Sequence, residues 1–167
     1  MTLATVLCVL LLAVSDAFAF NEPDGFRGVP FGASEAQMRK TVTSAQCENH
    51  TPSDRWIGDR SCVTEFRIGS VAVDAIYYFR GGKFVRVSLH FDPRDFGRLV
   101  EIFKARYGAP TASTADNLVW AGEKVNVSLR RYVVGGNRSA AGLTTVAEMK
   151  ETQRLRDEQT KGAAKSL

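Results

Sequence analysis

From Lys83 to Phe91 polar and apolar residues alternate, placing Val85, Val87, Leu89 and Phe91 on one face of a half-buried strand. Asp92 then suits an N-cap, Pro93 the first helical position, and Asp95 follows three residues on, close to a capping box. Phe96, Leu99, Val100, Phe103 and Tyr107 recur at helical spacing and form one continuous apolar stripe. Gly108 suits a left-handed stop, and Pro110 keeps the helix from resuming. A strand with one apolar face and a helix with one stripe bury both by packing against each other.

The same alternation places two strands upstream. Thr64, Phe66 and Ile68 share a face in 63–68; Val71, Val73, Ala75, Tyr77 and Phe79 share one in 71–80. Gly81-Gly82 predicts a two-residue hairpin turn into the strand at Lys83. Earlier, Ser34-x-x-Gln37 is a capping box opening a short helix through about Ala45, after a Pro/Gly-rich lead-in over 20–32. Downstream, 118–121 and 124–133 predict a second hairpin with Val125, Val127 and Leu129 inward, then a turn at Gly135-Gly136-Asn137. Residues 143–149 suggest a last short strand. The whole predicts a single α+β domain over residues 20–149. Its expected architecture is a twisted, mainly antiparallel sheet of five or six strands with two helices packed on one face. Residues 150–167 are polar, mixed in charge and without a stripe, and read as a C-terminal tail or frayed helix.

The first nineteen residues change the picture of where the domain works. Thr2 to Val14 is an apolar run of signal-peptide length, and Ala17-Phe18-Ala19 supplies small residues before a cleavage point at Phe20. An uncleaved anchor or a buried helix is the weaker reading. No Lys or Arg precedes the run, which leaves open a start upstream of Met1. Cleavage at 1–19 removes Asp16 and no basic residue, so the net charge rises from +4 to +5. The basic residues are scattered among acids rather than gathered in a stripe, which speaks against a nucleic-acid partner. A periplasmic or secreted location is expected, with no transmembrane segment in the mature chain.

With Cys8 in the leader, Cys47 and Cys62 remain, and in an exported chain they read most simply as a disulfide. Cys47 and His50 also have C-x-x-H spacing, but a metal there would need Cys62 and an acid as well, in an oxidising compartment. No metal or cofactor is expected.

Several short motifs carry a resemblance. Phe26-x-Gly28-Val29-x-Phe31-Gly32-x-Ser34 opens the first helix, and Tyr77-x-Phe79-x-Gly81-Gly82-Lys83 makes the hairpin. Tyr107-Gly108-x-Pro110 ends the second helix, and Trp120 stands on the next strand. Over roughly residues 26–133 this resembles a pattern of small exported bacterial proteins, many of unassigned activity. The layout is also similar to the helix-plus-meander units of the β-lactamase-inhibitor protein and of the small outer-membrane-assembly lipoprotein. The resemblance implies a fold more than an activity, because its motifs are caps, turns and a core tryptophan. The lipoprotein's cysteine has no counterpart at Phe20, which argues against that role.

Candidate chemistry lies on the other face of the strands. There Tyr78, Arg86, His90, Arg130 and Tyr132 are expected, with Asp74, Ser88 and Phe84 beside them. Tyr and Arg on a rigid sheet floor suit a binding surface. The alternative is an ordinary solvated face of an antiparallel sheet. Trp56, in the polar loop between the cysteines, is either a second anchor or a ring folded over the edge of the core. Trp120 reads as core. The function expected is a non-enzymatic exported module that binds a protein or envelope component. The second class is a small secreted hydrolase using His90, with Ser88 beside it and Asp74 across from it. No G-x-S-x-G elbow accompanies them.

Overall fold

The computed structural model describes residues 20–132 and 137–165. The expected leader at 1–19, Val133 at the end of the expected strand and Gly135-Gly136 of the expected turn lie outside the described residues. After a small ribbon of β1 (Gly25–Phe26) and β2 (Val29–Pro30) comes α1 (Glu35–Met38), then β3 (Gln46–Asn49) and a 3₁₀ turn at Pro52–Ile57. The first meander is β4 (Arg60–Ile68), β5 (Val71–Arg80) and β6 (Lys83–Phe91), and α2 (Phe96–Tyr107) follows it. β7 (Ala112–Ser113), β8 (Asn117–Trp120), β9 (Val125–Arg130) and β10 (Ser139–Thr145) complete the strands, and α3 (Val146–Ala164) closes the chain.

The main sheet has eight strands in the order β3-β4-β5-β6-β10-β9-β8-β7, antiparallel at every pairing. The fold is one α+β domain, and eight strands replace the five or six expected. The additional ones are the edge strands β3 and β7. Gln46–Asn49 is polar and Ala112–Ser113 only two residues long, so neither carries hydrophobic alternation. β10 lies between β6 and β9 and joins the two meanders into one surface.

One face of that sheet is the core. Tyr77, Phe79, Val87, Leu89, Val127, Leu129, Leu143 and Trp120 are buried there against Phe96, Leu99, Phe103 and Tyr107 of α2 and Met38 of α1. Trp120 packs on Phe103 and Tyr107, and its indole Nε1 donates to the Gly108 carbonyl at 2.9 Å, so a core ring also holds the end of α2. Gly81 and Gly82 both have positive φ, at 56° and 73°, as the tight β5–β6 hairpin requires.

Three expectations need correcting. Tyr78 pairs with Arg86 but Phe79 with Phe84, so Val85 is an extra residue in β6. The bulge turns Phe84 inward, fully buried, and leaves Val85 half-buried, the reverse of a strict alternation. The first helix has its capping box, with Ser34 N–H donating to the Gln37 side chain at 2.8 Å and Gln37 N–H to Ser34 Oγ at 3.2 Å. It ends at Met38, because Thr41-Val42-Thr43 is a β-branched run that disfavours continuation. Finally, the helices do not all share one face: α1 and α2 cover the core side, while α3 crosses the opposite, polar side. It begins at Val146, inside the stretch expected as a strand, and carries the residues read as a tail or frayed helix.

Cys47 and Cys62 stand directly opposite each other on β3 and β4 and are joined as a disulfide. The link closes a loop of sequence separation 15, a constraint worth on the order of 3 kcal/mol by loop entropy.

Two outcomes follow from this architecture. Phe103→Ala is expected to destabilise the protein by about 3–5 kcal/mol in urea melts, the cost of truncating a buried aromatic; less than about 1 kcal/mol would mean that α2 is not seated on the core. Labelling the unfolded chain with a thiol reagent in the absence of reductant is expected to find no free thiol at Cys47 or Cys62.

Candidate functional site

The rows of the sheet set out the polar face. Arg86 on β6 lies opposite Tyr78 on β5 and Thr144 on β10; Ser88 lies opposite Ile76 and Gly142; His90 lies opposite Asp74 and Ala140. Across β10, Ala140 faces Arg130, Gly142 faces Ser128 and Thr144 faces Asn126 on β9. The middle of this face is therefore small, with Ser88, Ser128, Ala140 and Gly142 as its floor, and the long side chains stand around it.

Two elements build walls on the floor. The Pro52–Ile57 turn folds over from the β4 side, and α3 lies across it, packed on the turn and on β10. Arg80 holds both. Its Nε and Nη2 donate to the Glu148 carboxylate of α3 at 2.6 and 2.8 Å, while Nη1 and Nη2 donate to the carbonyls of Arg55 and Trp56 at 2.9 and 3.3 Å. Glu148 is 2% exposed, so this is a buried carboxylate with its cation, and the Glu148 partnership raises the Arg80 guanidinium above its ordinary range. Thr152 donates a further bond to Glu148 at 3.1 Å.

Arg86 makes the second connection. Its guanidinium lies 4.0 Å over the Tyr78 ring and donates through Nη2 to the Ile57 carbonyl at 3.0 Å. Its Nε is buried and has no hydrogen-bond partner among the described residues. Burial is the leading influence on both side chains, pulling Arg86 down and pushing the Tyr78 phenol up. Trp56 is half-buried, with the Arg156 guanidinium of α3 4.3 Å over its ring. It thus folds over the polar face rather than over the edge of the core.

Between these walls lies a cleft of about 370 Å³, lined among others by Trp56, Ile57, Tyr78, Arg86, His90 and Arg130. A second lobe of about 510 Å³ continues beneath α3, past Met149, Thr152, Gln153 and Arg156, and shares Arg86, Ser128, Arg130 and Thr144 with the first. Five residues singled out from the sequence (Trp56, Tyr78, Arg86, His90 and Arg130) therefore meet in one concavity. Tyr132 does not: it is 60% exposed, beyond the end of β9. Sequence reasoning missed Ile57, Thr144 and Arg156, which come from the turn and the helix that form the walls.

His90 is held below its ordinary value, first by burial and then by the Arg138 charge, with Asp74 opposing. Asp74 is paired with Arg138 at 2.6 Å. No hydrogen bond among the described residues links His90 to Ser88 or to Asp74, so the three do not form a proton relay. His50 is engaged elsewhere, through Nδ1 with the Gly58 carbonyl at 3.0 Å and Nε2 with Ser61 Oγ at 2.9 Å. Glu35 lies within 4.8 Å of both cysteine sulfurs, but those sulfurs are bonded to each other and Glu35 is bound by Arg60 and Arg39 at 2.5 and 2.8 Å. That cluster is an ion-paired disulfide rather than a metal cradle.

Because the Arg80–Glu148 pair fixes both walls, Glu148→Ala is expected to cost about 3 kcal/mol, leaving a largely enclosed guanidinium without its anion. Urea melts measure the loss, and limited proteolysis is expected to cut α3 before the sheet. A change within 0.5 kcal/mol, roughly that of a surface substitution, would mean that the pair does not hold the helix.

Among the described residues no helix is long and apolar enough to cross a membrane. No curated protein and no solved structure matches the chain, and nothing links it to the β-lactamase-inhibitor protein or the outer-membrane lipoprotein. A family model does match, over residues 26–132, which takes in the strands β3 to β9 in chain order together with α1 and α2. This chain belongs to that family, whose description is "Uncharacterised protein".

Proposed function

We propose that the protein is an exported, non-enzymatic binding module whose ligand sits in the cleft between the Pro52–Ile57 turn, α3 and the polar sheet face. The observation that carries this reading is the convergence of Trp56, Tyr78, Arg86, His90 and Arg130 on one concave site with a flat floor of small residues. A rigid sheet that presents aromatic and guanidinium groups around a hollow has the chemistry of recognition. Export to the periplasm or outside the cell is supported by the apolar run ending in Ala17-Phe18-Ala19 and by the Cys47–Cys62 link. An envelope component, or a group displayed by a protein there, is the partner that this location would supply. A hydrolase reading has less support, because Ser88, His90 and Asp74 are not connected and Asp74 is neutralised by Arg138.

The test uses amide NMR spectra of the mature chain titrated with an envelope extract of the source cell. Shifts are expected at Gly142, Ser128 and Trp56. They are expected to fade in Gly142→Leu, a substitution whose Cβ meets only Ser128 Oγ at 3.4 Å and the Val87 carbonyl at 3.9 Å before its side chain fills the floor. Shifts elsewhere, or shifts that survive the filled cleft, would remove this site as the seat. Turnover of a chromogenic ester that His90→Gln abolishes would favour the hydrolase instead.

A further inference from the structure

We infer that the cleft takes a small dianionic ligand, held at one end by Arg86 and at the other by Arg130. The inference rests on the cleft being a ligand seat, as proposed above, and adds the charge and length of what it accepts.

The charge follows from what lines the site. Among the described residues neither lobe has an Asp or Glu in its wall, whereas Arg86 and Arg130 line both and Arg156 lines the lobe under α3. The acids that approach are already neutralised, Glu148 by Arg80 at 2.6 Å and Asp74 by Arg138 at 2.6 Å. A guanidinium cannot shed its charge, so a concavity lined only by such cations favours an anion. Two of them also have donors to offer. The Arg130 side chain is exposed and has no hydrogen-bond or ion-pair partner among the described residues. Arg86 is turned toward Tyr78 and Ile57, yet its buried Nε is without an acceptor. A buried donor left unpaired is costly, and a carboxylate or phosphate oxygen is the acceptor that a guanidinium edge fits best.

The length follows from the register. Arg86 lies in the row of Thr144 and Asn126; Arg130 lies in the row of Ala140 and His90. The two positions are therefore two strands apart and four residues apart along the strands, about 17 Å between Cα atoms at ordinary sheet spacings. Arg86 leans toward β5, stacked on Tyr78 and bonded to the Ile57 carbonyl, on the side of β6 away from β9, so the two heads do not share one small ion. Between them lies the floor of Ser88, Ser128 and Gly142, with hydroxyls to meet a polar linker and no side chain at Gly142 to obstruct it. One anionic group at each end of a short linker satisfies both guanidiniums at once, and the second contact gains from being intramolecular.

Carboxylate and phosphate share this chemistry, so the test carries both. The mature chain is titrated with suberate, hexanediol bisphosphate, octanoate and octanediol, while the amide and Arg Nε–Hε resonances are followed by NMR. Both dianions, or one of them, are expected to bind at least about tenfold more tightly than octanoate, with the Arg86 Nε–Hε signal shifting and octanediol without effect. Binding by one dianion alone identifies the acid group. Arg130→Gln, at an exposed position that leaves the core untouched, is expected to reduce the dianion to the affinity of octanoate. Absence of saturable cleft shifts with either dianion overturns the inference, and so does equal binding of dianion and octanoate. Binding of octanediol as tightly as the dianions overturns it too, while leaving the cleft as a seat; absence of cleft shifts with the envelope extract removes the seat itself.

Discussion

A carboxylate as enclosed as that of Glu148 is tolerable only beside a cation, and Arg80 meets it with two short charge-assisted bonds. The rest of the polar face depends on this pair. Glu148 is the one buried residue among those of α3, and Met149, the nearest large apolar side chain, remains 43% exposed. Apolar burial therefore contributes little to seating the helix. The same guanidinium binds two carbonyls of the Pro52–Ile57 turn, so one side chain from β5 fixes both walls of the cleft. A polar helix can lie on a polar sheet because Arg80 anchors its first turn and Arg156 stacks on Trp56 farther along, while Met149, Thr152 and Gln153 line the hollow.

The two sides of the sheet are thereby separated in task. The apolar side, under α1 and α2, carries stability through a continuous cluster of aliphatic and aromatic side chains. The polar side holds the cleft, with aromatic and guanidinium side chains around a floor of small residues. The bulge at Val85 is where these demands meet in one strand. Without the extra residue, either Phe84 or Arg86 would point the wrong way; with it, Phe84 joins Tyr77 and Phe79 in the core while Arg86 stacks on Tyr78 outside.

What could be read from the sequence tracks where burial leaves a periodic trace. The strand into α2 was legible because Val87, Leu89 and Phe91 alternate and Phe96, Leu99, Phe103 and Tyr107 recur at helical spacing against one core. Arg86, His90 and Arg130 were legible as a shared face because they alternate out of phase with those residues. α3 was not, since the side it turns to the cleft is Met149, Thr152, Gln153 and Arg156, a helical spacing filled with polar groups. Nor could a pattern of hydrophobicity reveal that Glu148 would find Arg80, sixty-eight residues earlier in the chain. The bulge escaped for a related reason: Phe84 and Val85 are both apolar, so either fits the inward position and only pairing with β5 decides between them.

The borders of the sheet have a consequence of their own. An eight-stranded antiparallel sheet normally offers two rows of unpaired backbone groups along which another chain can zip. Here one border is β3, four residues that include Glu48 and are bolted to β4 by the Cys47–Cys62 link; the other is β7, two residues long. Neither gives an incoming strand enough ladder to grip, which discourages self-association by strand addition. Any contact another chain makes with this sheet is thereby directed away from backbone zippering and toward the side chains displayed on the broad surface between.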